Sequence, residues 1–315
     1  MDVIRYPDDP RPDHWRRPVL ALGNFDGVHL GHRSIIEDVV QSAARRGATP
    51  VVLTFDPHPT RIVRPEAAPR LLMTSEQKVG VLRELGVQGV AIVRFTKDVA
   101  LWDPETFVRL VLREWLGVAE VWVGANFVFG HDRAGNVTKL RQLGAKYGFR
   151  AEAIEPVRYK EFVVSSSRAR QLIGEGRVEE AATLLGRHYS LDGIVVHGLQ
   201  RGRTLGFPTA NLDTENELLP PNGVYATVAT LDGVEYPSVT NIGVRPTFHL
   251  PSATVVETHV LDLDRDLYGK PMRVAFVHRI REERTFGGVE ALKAQITADC
   301  QSARTLLASR RSAGL

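Results

Sequence analysis

The chain has 315 residues, 43% of them hydrophobic, which suffices for substantial cores and suggests two domains rather than one. Its 40 Lys+Arg against 37 Asp+Glu leave no basic excess that would call for nucleic acid, while anionic small substrates stay compatible. A single cysteine, Cys300, excludes an intramolecular disulfide and multi-cysteine zinc patterns; no run is apolar enough to span a bilayer and the acidic, proline-broken start is not a signal peptide, so a cytoplasmic protein is expected.

The first predicted element is a short buried strand, Val19-Leu20-Ala21-Leu22. It runs through Gly23-Asn24-Phe25-Asp26-Gly27-Val28-His29-Leu30-Gly31-His32 into a helix whose stop is Gly47. A strand, a tight turn and a helix N-terminus bind phosphate, because unpaired N–H groups and the positive end of the helix dipole face the turn. His29 and His32 bracket Gly31 and can add two imidazole donors to the same anion. The Gly-Lys-Ser/Thr ending of a Walker loop is absent. The turn resembles instead the HxGH motif of nucleotidyltransferases, which transfer a nucleotidyl group from a triphosphate and release pyrophosphate. Two solvated histidines would explain the four letters alone, but the preceding Gly-Asn-Phe-Asp-Gly and the strand-to-helix context favour the phosphate reading.

Residues 51–55 predict a buried strand ended by Asp56-Pro57-His58-Pro59. Thr74-Ser75-Glu76-Gln77 predicts a capping box, followed by a helix with Val79, Leu82 and Leu85 on one stripe and Gly86 as its stop. A strand over 89–95 precedes Asp103-Pro104, a cap and first-turn proline opening a helix with Phe107, Leu110, Val111 and Trp115 as its stripe. Strands over 120–124 and 149–154 flank a helix over 137–147. This alternation predicts an α/β domain with a Rossmann-like parallel sheet and ligands at the carboxyl ends of its strands.

In the loops at those ends, Phe55 offers a ring that could cover a planar base, and Asn126 stands open between a base ligand and a turn former. His58 and His131 read as ordinary loop histidines. Ser165-Ser166-Ser167-Arg168-Ala169-Arg170 opens a helix with hydroxyls at its start and guanidiniums inside, a second end suited to polyphosphate.

From about Gly186 the alternation ceases, which places a domain boundary between 1–186 and 187–315. Strand candidates at 191–197, 223–231, 234–242, 254–261 and 272–279 predict a small antiparallel β-barrel. A terminal helix follows from about Gly288, with Val289, Leu292, Ile296 and Cys300 on its packed stripe, so Cys300 reads as core. In Gly202-Arg203-Thr204-Leu205-Gly206-Phe207-Pro208-Thr209-Ala210-Asn211-Leu212, period-two alternation puts Thr209 and Asn211 on one side of an extended segment. Hard oxygens there suit Mg²⁺, and generic loop chemistry explains them about as well.

These motifs together resemble one family. The Gly23 to His32 turn, Thr54-Phe55-Asp56-Pro57-His58-Pro59 and Ser165-Ser166-Ser167-Arg168 are similar to the adenylyltransferase half of prokaryotic bifunctional riboflavin kinase/FMN adenylyltransferases. That family commonly has Ser-Ser-Thr before the arginine, and Ser167 keeps the hydroxyl; His131-Asp132 stands where it has a basic or glycine residue. The segment 206–212, Gly223-Val224-Tyr225-Ala226 and Asn241-Ile242-Gly243-Val244-Arg245-Pro246-Thr247-Phe248 resemble its riboflavin kinase module.

The resemblance implies that ATP and Mg²⁺ serve riboflavin phosphorylation and that FMN is then adenylylated to FAD. It implies His29, His32, Arg168 and Glu257 as catalytic residues and Thr209 and Asn211 as holders of Mg²⁺ and phosphates. Gly23, Asn24, Phe25, Asp26, Gly31, Phe55, Asn126, Ser165, Ser166, Ser167, Gly206, Phe207 and Pro208 are expected to line the nucleotide and flavin sites. Riboflavin, FMN and ATP are the expected partners, without nucleic acid or membrane. The alternatives are a single-activity nucleotidyltransferase with an unrelated barrel and a flavin-binding regulatory protein.

Overall fold

A computed structural model describes residues 1–198, 205–245 and 253–312. Gly202, Arg203 and Thr204 of the glycine-spaced loop, and Pro246-Thr247-Phe248, lie outside the described residues. The chain divides into two compact units, Met1–Arg70 with Ser75–Ser165, and Leu71–Thr74 with Ser166–Leu315.

The first unit contains, in order, β1 (Asp2–Tyr6), β2 (Val19–Leu22), α1 (Leu30–Arg46), β3 (Pro50–Asp56), α2 (Pro59–Val63), α3 (Ser75–Glu84), β4 (Gly89–Arg94), α4 (Lys97–Ala100), α5 (Pro104–Phe107), β5 (Glu120–Gly124), β6 (Val128–Phe129), β7 (Gly135–Asn136), α6 (Val137–Tyr147), β8 (Arg150–Ile154), β9 (Arg158–Tyr159) and β10 (Phe162–Val163). Six of these strands form a sheet in the order β1-β4-β3-β2-β5-β8, with every pair parallel. β2 is buried along its whole length because it lies between β3 and β5, which is why its sequence is continuously apolar rather than alternating. Leaving β2, the chain steps outward through β3 and β4, then returns to build β5 and β8 on the other side. The topological switch point therefore falls between β2 and β5, and open sheets of this kind bind ligands past the carboxyl ends of such a strand pair.

Local chemistry explains the element ends. Gly47 closes α1 with a left-handed φ of 59°. Asp103 caps α5 by accepting from the Glu105 and Thr106 N–H groups at 2.8 and 2.9 Å. Gly89 is required at the start of β4, because a Cβ there would stand 2.2 Å from the buried indole of Trp15. One expectation fails in detail. The helix after Asp103 is α-helical only to Phe107 and continues in π-helical turns over Val108–Trp115. Wider turns rotate the stripe, so Val108, Val111 and Leu112 face the core while Leu110 and Trp115 are only partly covered.

Besides Leu71–Thr74, the second unit contains α7 (Ser166–Gly174) and α8 (Val178–Leu185), which lie before the 186/187 boundary expected from the sequence. α8 packs on the barrel strands, and its Glu179 pairs with His278. Six antiparallel strands then close a barrel in the order β11 (Tyr189–Val196), β12 (Ala210–Thr214), β15 (Ala253–Val260), β14 (Val234–Arg245), β13 (Gly223–Leu231) and β16 (Pro271–Arg281). The sequence marks β12 only as an extended loop segment; its Ala-Asn-Leu-Asp-Thr run carries too little apolar alternation to announce a strand.

The barrel core is partly polar. Thr227, Ser238, Thr240 and Thr258 are wholly buried and bond one another at 2.8, 2.8 and 3.0 Å, so no hydroxyl in this row loses water without a replacement. Beside them Tyr225 meets Phe276 edge to face at 5.2 Å, and burial pushes its phenol up to about 12.

The terminal helix α9 (Val289–Ser312) covers one outer face of the barrel through Ile296, Cys300, Ala303 and Leu307. Val289, expected on this stripe, is exposed because the helix has not yet reached the barrel there. Burial raises the Cys300 thiol, in keeping with a core side chain.

Candidate active site

The turn at the switch point belongs to the first unit. Thr54 on β3 donates to the Asn24 carbonyl at 3.0 Å, and the Asn24 carboxamide lies 3.2 Å from Nε2 of His58, so the turns after β2 and β3 are tied together. Phe25 and Val28 are wholly buried with φ of 48° and 37°, a conformation that ordinary side chains and above all β-branched ones avoid. Such strain persists only where surroundings over-determine the backbone, and it clusters at ligand-gripping turns. Phe25 is thus inside the protein, edge-on to the His32 ring at 5.1 Å, and shapes the turn.

His29 is the N-cap of α1 and is 6% exposed. Its Nδ1 accepts from the His32 N–H at 3.3 Å, which assigns the proton of a neutral ring to Nε2. The two imidazoles stack with centroids 3.7 Å apart and planes 15° from parallel. Stacking at this distance needs the intervening residue to be small: a Cβ on Gly31 would stand 3.2 Å from Cε1 and 3.3 Å from Nδ1 of His29. The backbone oxygen of Val164, which precedes Ser165 at the end of the first unit, lies 3.9 Å from the same point.

The other predicted residues fall as follows. Gly23 lies under the Phe25 ring, 3.3 Å from where its Cβ would be, and Asp26 is buried. Phe55 is half-buried and packs against Phe95 and Phe107 at 5.7 and 6.2 Å, so part of its ring supports the core. Asn126 is exposed in the turn after β5, on the other flank of the switch point. His58 is more than a loop histidine, since its Nδ1 accepts from the Thr60 N–H at 3.3 Å and caps α2. Ser165 ends the first unit, whereas Ser166, Ser167 and Arg168 open α7 in the second, with Arg168 donating to Gln171 at 2.8 Å.

On the barrel, the inward positions of β15 are Val256, Thr258 and Val260, so Glu257 points outward. Its partners in register are Asn211 on β12 and Asn241 on β14, and side chains in register share a face. The carboxylate therefore sits in a polar row of two carboxamides. Alternation along β15 alone shows only Val255, His259 and Leu261 beside Glu257, because it reads along one strand and not across three. Asn211 is buried, and the Gly198 backbone passes so close that a Cβ would meet its Nδ2 at 2.2 Å. Thr209 is half-buried on the same side, two residues before Asn211. Gly206 has a φ of 87°, which favours glycine, and Phe207 packs edge-on to His259 at 5.7 Å while His259 Nδ1 lies 2.7 Å from the Pro208 oxygen. These contacts fix the entry of β12.

Sequence reasoning missed the bond from Thr54 to the Asn24 turn, Lys78 and the alignment of Asn241 with Glu257. Lys78, half-buried on α3, donates to the Asn24 carbonyl at 2.9 Å. Its only sequence signal was a charge on the helix predicted over Val79 and Leu82, which reads as a solvated face.

A parallel sheet presenting a His-x-Gly-His turn at its switch point, on one chain with a closed barrel bearing a polar row, defines a nucleotidyltransferase joined to a second transferase module. The comparisons agree: the FAD synthetase family model matches residues 11–168, and the riboflavin kinase model matches 185–307. The bifunctional riboflavin kinase/FMN adenylyltransferase of Pseudomonas fluorescens is 37% identical over 308 residues, covering 98% of each chain. Those of Bacillus subtilis (strain 168) and Escherichia coli (strain K12) are each 36% identical, covering 95% and 91% of this chain and 96% and 91% of their own. A crystal structure of a macrolide-efflux protein from Streptococcus pneumoniae superposes with a TM-score of 0.86 at 27% identity, over 96% of this chain and 98% of that one. Among the described residues of this chain, no helix is long and apolar enough to cross a membrane. The chain belongs to the bifunctional riboflavin kinase/FMN adenylyltransferase family.

Proposed function

We infer that this chain phosphorylates riboflavin with ATP to give FMN and adenylylates FMN to FAD with release of pyrophosphate. The observation that carries this reading is that separate FAD synthetase and riboflavin kinase models match successive parts of one chain, each over the motifs suited to its chemistry. Residues 1–186 are proposed as the adenylyltransferase and 187–315 as the kinase, working in the cytoplasm on riboflavin, FMN and ATP.

The two steps make different demands. An FMN phosphate oxygen attacks the α-phosphorus of ATP, and the bond from that phosphorus to pyrophosphate breaks. The nucleophile is already an anion, so this step calls for alignment and charge stabilisation rather than a base. The N-terminus of α1, Nε2 of His29, His32 and Arg168 are the donors for it.

In the kinase step the ribityl 5′-hydroxyl must lose a proton as its oxygen attacks the γ-phosphorus and ADP leaves. Glu257 accepts that proton. The Thr209 hydroxyl and the Asn211 carboxamide oxygen are hard, neutral donors beside a carboxylate in register, and they fit Mg²⁺ arriving on ATP with its remaining ligands from phosphate and water. When bound, Mg²⁺ neutralises phosphate charge as the γ-phosphoryl group transfers. Asn211 and Thr209 hold the triphosphate end, and Asn241 aligns the Glu257 side chain from the opposite strand.

Incubating the full chain with riboflavin, ATP and Mg²⁺ and separating the flavins tests the reading. FMN and FAD should both accumulate. Unchanged riboflavin together with FAD from added FMN indicates a single-activity nucleotidyltransferase, and unchanged flavins throughout indicate a binding protein.

A further inference from the structure

The turn that receives the anions carries acidic side chains of its own. Asp26 is buried at 2% exposure inside it, and Asp56 ends β3 next to it. ATP and the FMN phosphate are both negative, so two carboxylates at this place repel the ligands unless a cation offsets them. α3 brings one. Lys78 reaches the turn from that helix and donates to the Asn24 carbonyl at 2.9 Å, where Thr54 also donates at 3.0 Å. The doubly held carbonyl immediately precedes Phe25, the first residue of this turn with a left-handed φ.

Holding a carbonyl needs only a neutral donor, and Thr54 supplies one. Burying an ammonium is costly, and burial does pull the Lys78 pKa below the usual lysine value, while Asp26 and Asp56 push it back up. The expense of a half-buried cation is explained if its charge is needed there. We propose that Lys78 is a positioning residue of the adenylyl-transfer site: its ammonium holds the Asn24 carbonyl, and with it the strained 25–28 turn, and offsets Asp26 and Asp56 so that two anionic substrates can settle at the start of α1. This rests on the adenylyltransferase reading above and assigns Lys78 no contact with the reacting atoms.

The test uses the full chain carrying Lys78→Gln, Lys78→Met or Lys78→Arg. Measured are kcat and KM for FMN and for ATP in FAD formation, with riboflavin phosphorylation in the same samples as a reference for folding. Gln keeps the stem and an N–H donor but has no charge, Met has neither donor nor charge, and Arg has both. Lys78→Gln should raise both KM values about tenfold, as loss of a counter-charge in a partly buried site would. Lys78→Met should add a fall in kcat of about tenfold as the turn loosens. Lys78→Arg should restore KM to within about threefold of the parent, since guanidinium keeps the charge. Riboflavin phosphorylation should stay at the parent rate.

Parent KM values in Lys78→Gln overturn the proposal, and so does Lys78→Arg as impaired as Lys78→Met. If Lys78→Met loses both activities through misfolding, the comparison of Gln with Arg decides. A parent enzyme that makes no FAD would defeat the adenylyltransferase reading itself, whereas a parent that makes FAD alongside unaffected variants defeats only the role given to Lys78.

Discussion

Gly31→Ala separates the geometry of the HxGH turn from its chemistry, because it leaves every donor in place and adds one methyl group. That methyl would stand 3.2 and 3.3 Å from Cε1 and Nδ1 of His29, a few tenths of an ångström inside ordinary contact. The His29 ring cannot yield toward His32, whose ring already stacks on it at 3.7 Å. It must tilt away and stretch the Nδ1 bond to the His32 N–H, which is already 3.3 Å long. A shift of half an ångström in a transition-state donor is a substantial part of the ~1 Å misplacement that costs about 10²-fold, so FAD formation should fall by about tenfold. Stability should hold or rise, since alanine is favoured over glycine in a helix by up to about 1 kcal/mol. The assay is single-turnover conversion of FMN to FAD, with riboflavin phosphorylation and the melting temperature measured on the same protein. Parent FAD formation in a protein of parent or higher melting temperature would refute the argument that the stacked pair is held to its position by the absence of a Cβ.

The remaining predictions concern the second reaction and the acid limb of stability. Glu257→Gln keeps the shape of the polar row and removes the base, so FMN formation should fall by about 10²–10⁴ while FMN-to-FAD conversion stays at the parent rate; an unchanged rate with chemistry limiting removes Glu257 from the mechanism. Chelating Mg²⁺ with EDTA should stop riboflavin phosphorylation, and added Mg²⁺ should restore it; phosphorylation that persists in EDTA would dismiss Thr209 and Asn211 as holders of the ion. The Asp103 carboxyl is held below its usual range, first by the Thr106 N–H and then by the Thr106 hydroxyl. Its stabilisation is therefore complete above the unfolded value of about 3.9 and is lost as pH falls through the lower folded value. Against Asp103→Asn, which keeps a cap but does not titrate, the parent should lose melting temperature more steeply only below about pH 4; a matching difference at pH 7 and pH 3 would contradict this.

What the sequence could show was what is local. β2, β3, β4, β5 and β8 are announced by apolar runs, and α1, α3 and α5 by their end signals, because a buried parallel strand and a helix end each impose a pattern within a few residues. The π-helical turns after Phe107 were not legible, since apolar spacing is read against an α-helical period and a wider winding selects Val108 and Leu112 in place of Leu110. β12 was missed as a strand for a related reason: it presents Asn211 and Thr214 to its neighbours and draws its place from pairing with β11 and β15 rather than from its own hydrophobicity.

The candidate sites divide along the same line. His29, Gly31 and His32 could be singled out because one short turn holds them all, and the stacking that makes them a unit follows from that proximity. The Asn241, Glu257 and Asn211 row is assembled from three strands far apart in the chain, and Lys78 reaches Asn24 from a helix whose pattern explains only its own packed face. Each motif thus supplies the candidate site residues, while groups that hold the motif in shape come from elsewhere. In the turn this division has an energetic reason. A backbone with left-handed φ at Phe25 and Val28 is unfavourable by about 1–3 kcal/mol per residue on local grounds, so nothing local can sustain it. Thr54 and Lys78 bond the Asn24 carbonyl from β3 and α3 and are among the long-range contacts of this turn.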